Sequence, residues 1–167
     1  MPPIDRNPAH HQMVVAAGGR WGAPENAGGD MKITPGLIWI GWITLATLVF
    51  YLGVAMHTAV QRGRHRIMAP ATTGHPAYEL AARIHANTLE YLVPFLVALW
   101  MCAVFYEPLP AAILGVVWLF GRVIYVFGYW SAPPRRQPGF ILAMFALILL
   151  LILTAYGLFR MGLVMGV

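Results

Sequence analysis

The sequence predicts an all-α integral membrane protein built as one four-helix bundle. Three observations carry that expectation. Of 167 residues, 59% are hydrophobic and 10% charged, against about 25% charged in a soluble domain. Four long apolar runs punctuate the chain, each near the ~20 residues that cross ~30 Å of hydrocarbon. Five of the eleven Lys and Arg residues fall in two loops between those runs. A chain of this size supports a single bundle and is too small to enclose a large cavity alone, so a site would draw on neighbouring subunits.

Residues 1–34 read as a separate extension, disordered or lying as loose coil at the interface. They are rich in Gly, Pro, Ala and Asn and show no hydrophobic period, so they cannot bury enough apolar surface to order themselves. No continuous apolar core marks them as a secretory signal. His10 and His11 are adjacent but lack the further ligands of a metal site. Met31 offers an alternative start just before the first span. The membrane domain is then expected over 35–167.

The first span is expected over about 37–60, opened by Pro35-Gly36 and free of charge from Leu37 to Val60. Trp39, Trp42 and Tyr51 suit interfacial or packing positions, and His57 a packed one. A basic loop, Gln61 to Arg66, and a turn-rich connector, Ala69 to Pro76, follow. Pro76 suits the first position of a helix, where a missing N–H costs nothing. That helix should run through the span at about 77–106, with Pro94 withholding a donor from the Glu90 carbonyl. Glu107-Pro108-Leu109-Pro110 reads as a tight turn. A third span is expected over about 111–130, interrupted by Arg122. Ser131 to Pro138 forms a second basic loop, and the last span covers about 139–159, ended by Arg160. There are no tandem repeats.

Four spans put the 61–76 and 131–138 loops on one side, with Arg62, Arg64, Arg66, Arg135 and Arg136. The positive-inside rule makes that side cytoplasmic. The net charge of +5 therefore concerns lipid surface and topology and points away from nucleic acid. The single cysteine, Cys102, lies within an apolar run and reads as a small buried hydrophobe. It leaves no disulfide framework and no metal-binding spacing.

The chemistry concentrates in the second span. At ~100° per residue, Arg83, Asn87 and Glu90 fall within roughly 60° on one helix face, with Glu79 extending the stripe. A charge at mid-bilayer costs about 2.5–3.5 kcal/mol or more, so these groups pair, face a wet cavity or bind something. One reading is an Arg–Glu pair that glues helices together; the other is a site. Arg122 reads best as such glue, paired with a carboxylate such as Glu90. On the arginine-rich end the chain gathers Arg62, Arg83, Asn87, Glu90, Tyr91, Arg122, Tyr125, Tyr129 and Arg136. Their sum is basic, so the fitting guest is anionic, and two carboxylates with one ammonium would suit several arginines plus Glu90. Apolar grooves on the spans would suit a lipophilic co-substrate. Conjugation needs a nucleophile, and with no exposed thiol in the chain it must arrive with the guest.

Two motifs carry a resemblance over roughly Leu37 to Gly162. Arg83-xxx-Asn87-xx-Glu90-Tyr91-xx-Pro94-Phe95, followed by Gly121-Arg122-xx-Tyr125-xx-Gly128-Tyr129 and Arg136, resembles the MAPEG family, the membrane-associated proteins of eicosanoid and glutathione metabolism. Tyr91 after Glu90 makes it more similar to the leukotriene-forming synthase and microsomal transferase branch. The resemblance implies a four-helix protomer assembling as a homotrimer, with glutathione as co-substrate between protomers on the cytoplasmic side and no metal. It implies glutathione contacts from Arg62, Arg83, Asn87, Glu90, Tyr91, Tyr125, Tyr129 and Arg136. His85 stands where the branch has a glutamine contact, and Gly63 where it often has a second functional arginine, with Arg64 beside it. Arg136 would hold the thiolate, with Tyr129 in the catalytic pair. A guanidinium favours ionisation of a thiol whose free pKa is near 8.5, and arginine stays charged when partly desolvated. The thiolate would attack a lipophilic electrophile or reduce a lipid hydroperoxide. The alternative is a lipid-binding member without catalysis. A transporter is disfavoured, since no paired Gly/Pro-broken spans suggest an inverted repeat.

Overall fold

Proline sets where the helices begin. The computed structural model describes residues 35–166; the extension 1–34, with His10, His11 and Met31, lies outside the described residues. Helix α1 spans Pro35–Arg64, α2 Pro76–Phe105, α3 Pro108–Ser131 and α4 Gln137–Met165, with a 3-10 turn at Pro133–Arg136 between the last two. Pro76 and Pro108 occupy first-turn positions, where no intrahelical partner awaits the N–H. His75 caps α2 by accepting the Ala77 N–H on Nδ1 at 3.2 Å, and Gly166 closes α4 at φ 71°, the left-handed cap that glycine adopts freely.

All four helices are long and apolar enough to cross a membrane, and they overrun the expected spans at most ends. Apolar runs mark the stretch in hydrocarbon, whereas backbone hydrogen bonding continues beyond it. Two expected loops shrink accordingly. Gln61 to Arg64 belongs to α1, and most of Ser131 to Pro138 is helical. The turn expected at Glu107–Pro110 contracts to Tyr106 and Glu107, because Pro108 and Pro110 fit the first turn of α3.

Within a bilayer, helix association draws on close packing rather than on hydrophobic transfer. Small residues line the seams here: Ala98, Ala103, Ala111, Ala112, Ala143 and Ala146 are all buried. The α3–α4 pairing is the most extensive, and it rests on backbone touching backbone. A methyl added to Gly121 would lie 2.7 Å from the Ala143 nitrogen, and one added to Gly139 would meet the Tyr125 backbone. Between them the helices enclose Phe95 stacked on Trp118, ring centroids 3.8 Å apart. Cys102 is fully buried in the same core, the packing place expected for it. The outward surface is apolar: Trp42, Val49, Met56, Phe120, Ile141 and Phe159 are all exposed, as lipid-facing side chains are.

Candidate functional site

The arginine-rich end of the bundle is where α1 and α3 finish and α2 and α4 begin. A pocket of about 580 Å³ opens there, lined by Asn87, Tyr91, Tyr125, Arg136, Gln137, Phe140 and Ile141. Asn87 and Tyr91 are one helical turn apart on α2, and Tyr125 stands on α3. Arg136 ends the 3-10 turn, and the other three open α4. Gly128 lets that turn fold back: a methyl there would stand 2.5 Å from the Arg135 carbonyl oxygen. The return brings the Arg136 guanidinium over the Tyr129 ring, 4.5 Å from its centroid. A cation held on an aromatic face in this way keeps its charge while its direction is fixed.

Behind the pocket lies Arg122, 1% exposed. The expected carboxylate partner is not there. Its Nη1 and Nη2 both donate to Asn87 Oδ1 at 3.2 Å, and Nη2 also donates to Thr88 Oγ1 at 2.9 Å. It does join helices as expected, but through neutral oxygens, because Glu90 projects to the exposed side of α2. Aromatic faces complete its shell, with Tyr125 at 4.3 Å and Tyr91 and Trp118 each at 5.8 Å. Arg122 Nε is buried without a hydrogen-bond partner.

The predicted stripe divides. Asn87 and Tyr91 reach the pocket wall, whereas Arg83 and Glu90 are exposed beside it. Glu79 turns away and accepts the Gly74 N–H at 3.1 Å. Arg62, near the end of α1, donates to Tyr78 Oη in the first turn of α2 and to the Ala71 carbonyl of the connecting loop at 3.2 Å, and it does not line the pocket. Tyr129 is buried beneath Arg136 and not in the wall. His85 faces α1, with Nε2 3.0 Å from Tyr51 Oη. His57 packs against Trp130, centroids 4.6 Å apart. In the connecting loop His65 stacks on His75 at 3.5 Å. Desolvation, then the neighbouring His75 and Arg64, hold the His65 pKa below the ordinary histidine value.

Sequence reasoning missed Gln137, Phe140 and Ile141. The signal was helical spacing: Phe140 follows Arg136 by one turn, and Ile141 follows Gln137. Gln137 and Ile141 also border an apolar groove of about 630 Å³ completed by Ile124, Pro138, Leu142 and Phe145. Polar pocket and apolar groove thus share a wall. A further hollow of about 460 Å³ between α1 and α3, lined by residues such as Trp39, Trp42 and Leu109, contains no ionisable side chain. Among the described residues no His/Cys/Asp/Glu cluster has metal-binding form.

The MAPEG family model matches residues 40–156. The chain belongs to the MAPEG family. Its similarity to microsomal glutathione S-transferase 2 of Homo sapiens is 34% identity over 103 residues, 62% of this chain and 70% of the relative. Leukotriene C4 synthase of Cavia porcellus is 34% identical over 116 residues, 70% of this chain and 77% of the relative. An uncharacterised protein of Synechocystis is 39% identical over 116 residues, 70% of this chain and 85% of its own length. The MAPEG match covers all of α2 and α3 and most of α1 and α4, and so contains every residue of the pocket wall.

Proposed function

We propose that this MAPEG protein is a glutathione-dependent membrane transferase, able also to reduce lipid hydroperoxides, that activates the glutathione thiolate against lipophilic substrates. The observation that carries the reading is the shared wall: a pocket with Arg136, Asn87, Tyr91 and Tyr125 adjoins an apolar groove. A polar thiol compound in the first meets a bilayer-dissolved electrophile in the second. Relatives named as a glutathione transferase and a leukotriene synthase support the same class.

In this reading Arg136 faces the sulfur, with Tyr129 fixing its guanidinium. Asn87, Tyr91 and Tyr125 contact the tripeptide from the pocket wall. Arg62, Arg83 and Glu90 complete the site from outside that wall. Arg83 and Glu90 are exposed on a spanning helix, and charged groups there require a protein partner or water. A homotrimer that buries this face against a neighbouring protomer satisfies them and closes the site. The membrane domain is residues 35–167, with 1–34 as an extension, and the arginine-rich end faces the cytoplasm.

Calorimetry with glutathione on the intact detergent-solubilised oligomer tests the core of this reading. We expect saturable binding, weakened about ten- to a hundredfold in Glu90→Gln, because a charge-assisted hydrogen bond to the ligand ammonium is worth about 1.5–3 kcal/mol. Unchanged affinity in that variant removes Glu90 from the site. No binding to the wild type leaves the lipid-binding reading. Orientation has its own check. Single cysteines at Gly63 and Ser131, introduced into Cys102→Ala protein, should resist an impermeant thiol reagent added to intact cells and react once the cells are opened; ready labelling from outside reverses the topology.

A further inference from the structure

We propose that Arg122 is a positioning residue: it fixes the polarity of the Asn87 amide, and so keys the pocket wall to an acceptor oxygen of the guest. The inference rests on the glutathione reading above. A guanidinium has five N–H donors and no acceptor. Both Nη atoms lie 3.2 Å from one atom of the Asn87 amide, and that atom must be the oxygen. The flipped amide would set donors against donors. Thr88 cannot relieve the demand, since its hydroxyl accepts from Nη2 at 2.9 Å and passes its own proton to the Ile84 carbonyl at 2.7 Å. Asn87 Nδ2 is the other arm of the amide. It makes no hydrogen bond among the described residues and is not buried, on a side chain that lines the pocket. The guest therefore meets an N–H, and the group that satisfies it is a carboxylate or carbonyl oxygen.

The choice of asparagine has a second consequence. An aspartate would satisfy Arg122 better, but it would cancel the buried charge and replace the pocket's donor by a negative acceptor. With Asn87 and Thr88 as partners, the charge of Arg122 stays uncompensated by any acid hydrogen-bonded to it. It stands directly behind Asn87, Tyr91 and Tyr125, where it favours an anionic guest. The buried arginine thus acts on the ligand through the residues it holds, without touching it.

Asn87→Asp separates this role from simple helix gluing. Melting of the ligand-free oligomer should stay at or above the wild-type temperature, because the carboxylate accepts both Nη donors. Glutathione affinity should fall about ten- to a hundredfold, the loss expected for a charge-assisted hydrogen bond. Asn87→Leu should lose both, melting lower and binding about tenfold more weakly, which distinguishes donor loss from added charge. A double-mutant cycle completes the test: Arg122→Met should weaken binding about tenfold in the wild-type background and hardly at all beside Asn87→Leu. If Asn87→Asp or Asn87→Leu binds glutathione within about twofold of wild type, or if the two losses in the cycle simply add, the positioning role is overturned. A clear drop in melting temperature for Asn87→Asp overturns the Arg122 contact itself. Wild-type protein that binds no glutathione overturns the functional reading, a result visible before any variant is compared.

Discussion

Arg136→Ala should keep most of the glutathione affinity and lose most of the turnover at neutral pH. Arg136 stands at the pocket wall over Tyr129, while Asn87, Tyr91 and Tyr125, proposed above as the tripeptide contacts, still line the pocket. A nearby cation favours the ionised thiol by about 1–3 pKa units. Removing it raises the thiol pKa toward the free value near 8.5, and each unit corresponds to about 1.4 kcal/mol. On the proposed reading a thiolate stabilised by Arg136 should persist below the free pKa in the wild type, and in the variant should appear only as pH rises toward that value. Turnover near pH 7 should fall about ten- to a thousandfold and recover partly under alkaline conditions. Thiolate absorbance and initial rate, both followed against pH, measure this. A titration identical in wild type and variant would remove Arg136 from the chemistry and direct attention to Arg62 and Arg64.

Gly139→Ala should destabilise the bundle severely, whereas the same substitution at Gly53 should stabilise it. A methyl on Gly139 runs into the backbone of Tyr125 and the carbonyl of Gly121, while around Gly53 nothing lies within 4 Å. Backbone cannot rotate aside as a side chain can, so α3 and α4 must move apart. Overpacking of this kind costs about 1–3 kcal/mol and more where the structure cannot yield. At Gly53, alanine gains about 0.5–1 kcal/mol of helix propensity. Thermal melting of the two variants in one detergent gives the comparison. The functional consequence is local, because the α3–α4 contact sets Tyr125 on one helix against Gln137 and Phe140 on the other. Gly139→Ala protein that still assembles should bind glutathione poorly. Equal melting of the two variants would mean that the glycine seam does not govern the α3–α4 distance.

Much of this was legible in the residues themselves. Length and apolarity of the four runs determine four spanning helices, since unpaired backbone is not tolerated in hydrocarbon. The spacing of Arg83, Asn87, Glu90 and Tyr91 puts them near one another on α2, because helical geometry is local. Pro76 as a first-turn residue was legible for the same reason. The two motifs, one on the second span and one on the third, together carried the family. Helix ends were less legible: the apolar runs do not show that α1 continues to Arg64, or that Pro108 and Pro110 lie inside α3 rather than in a turn.

What the tertiary structure decided is which of these groups meet. The stripe on α2 divides because the pocket lies at its edge: Asn87 and Tyr91 turn toward α3 and α4, while Arg83 and Glu90 stay outside. Arg122 and Glu90 are both charged and both on the arginine-rich half, and charge alone pairs them. The packing of α2 on α3 instead presents Asn87 and Thr88 to Arg122. Gln137, Phe140 and Ile141 carry no chemical mark in the sequence. They enter the site because Gly128 lets the turn at Pro133–Arg136 fold onto α3, and because Gly121 and Gly139 bring α4 within backbone contact. Local periodicity determines which face a residue occupies. The partner across the seam depends on the distance and rotation between two helices, which are set by contacts far apart in the chain.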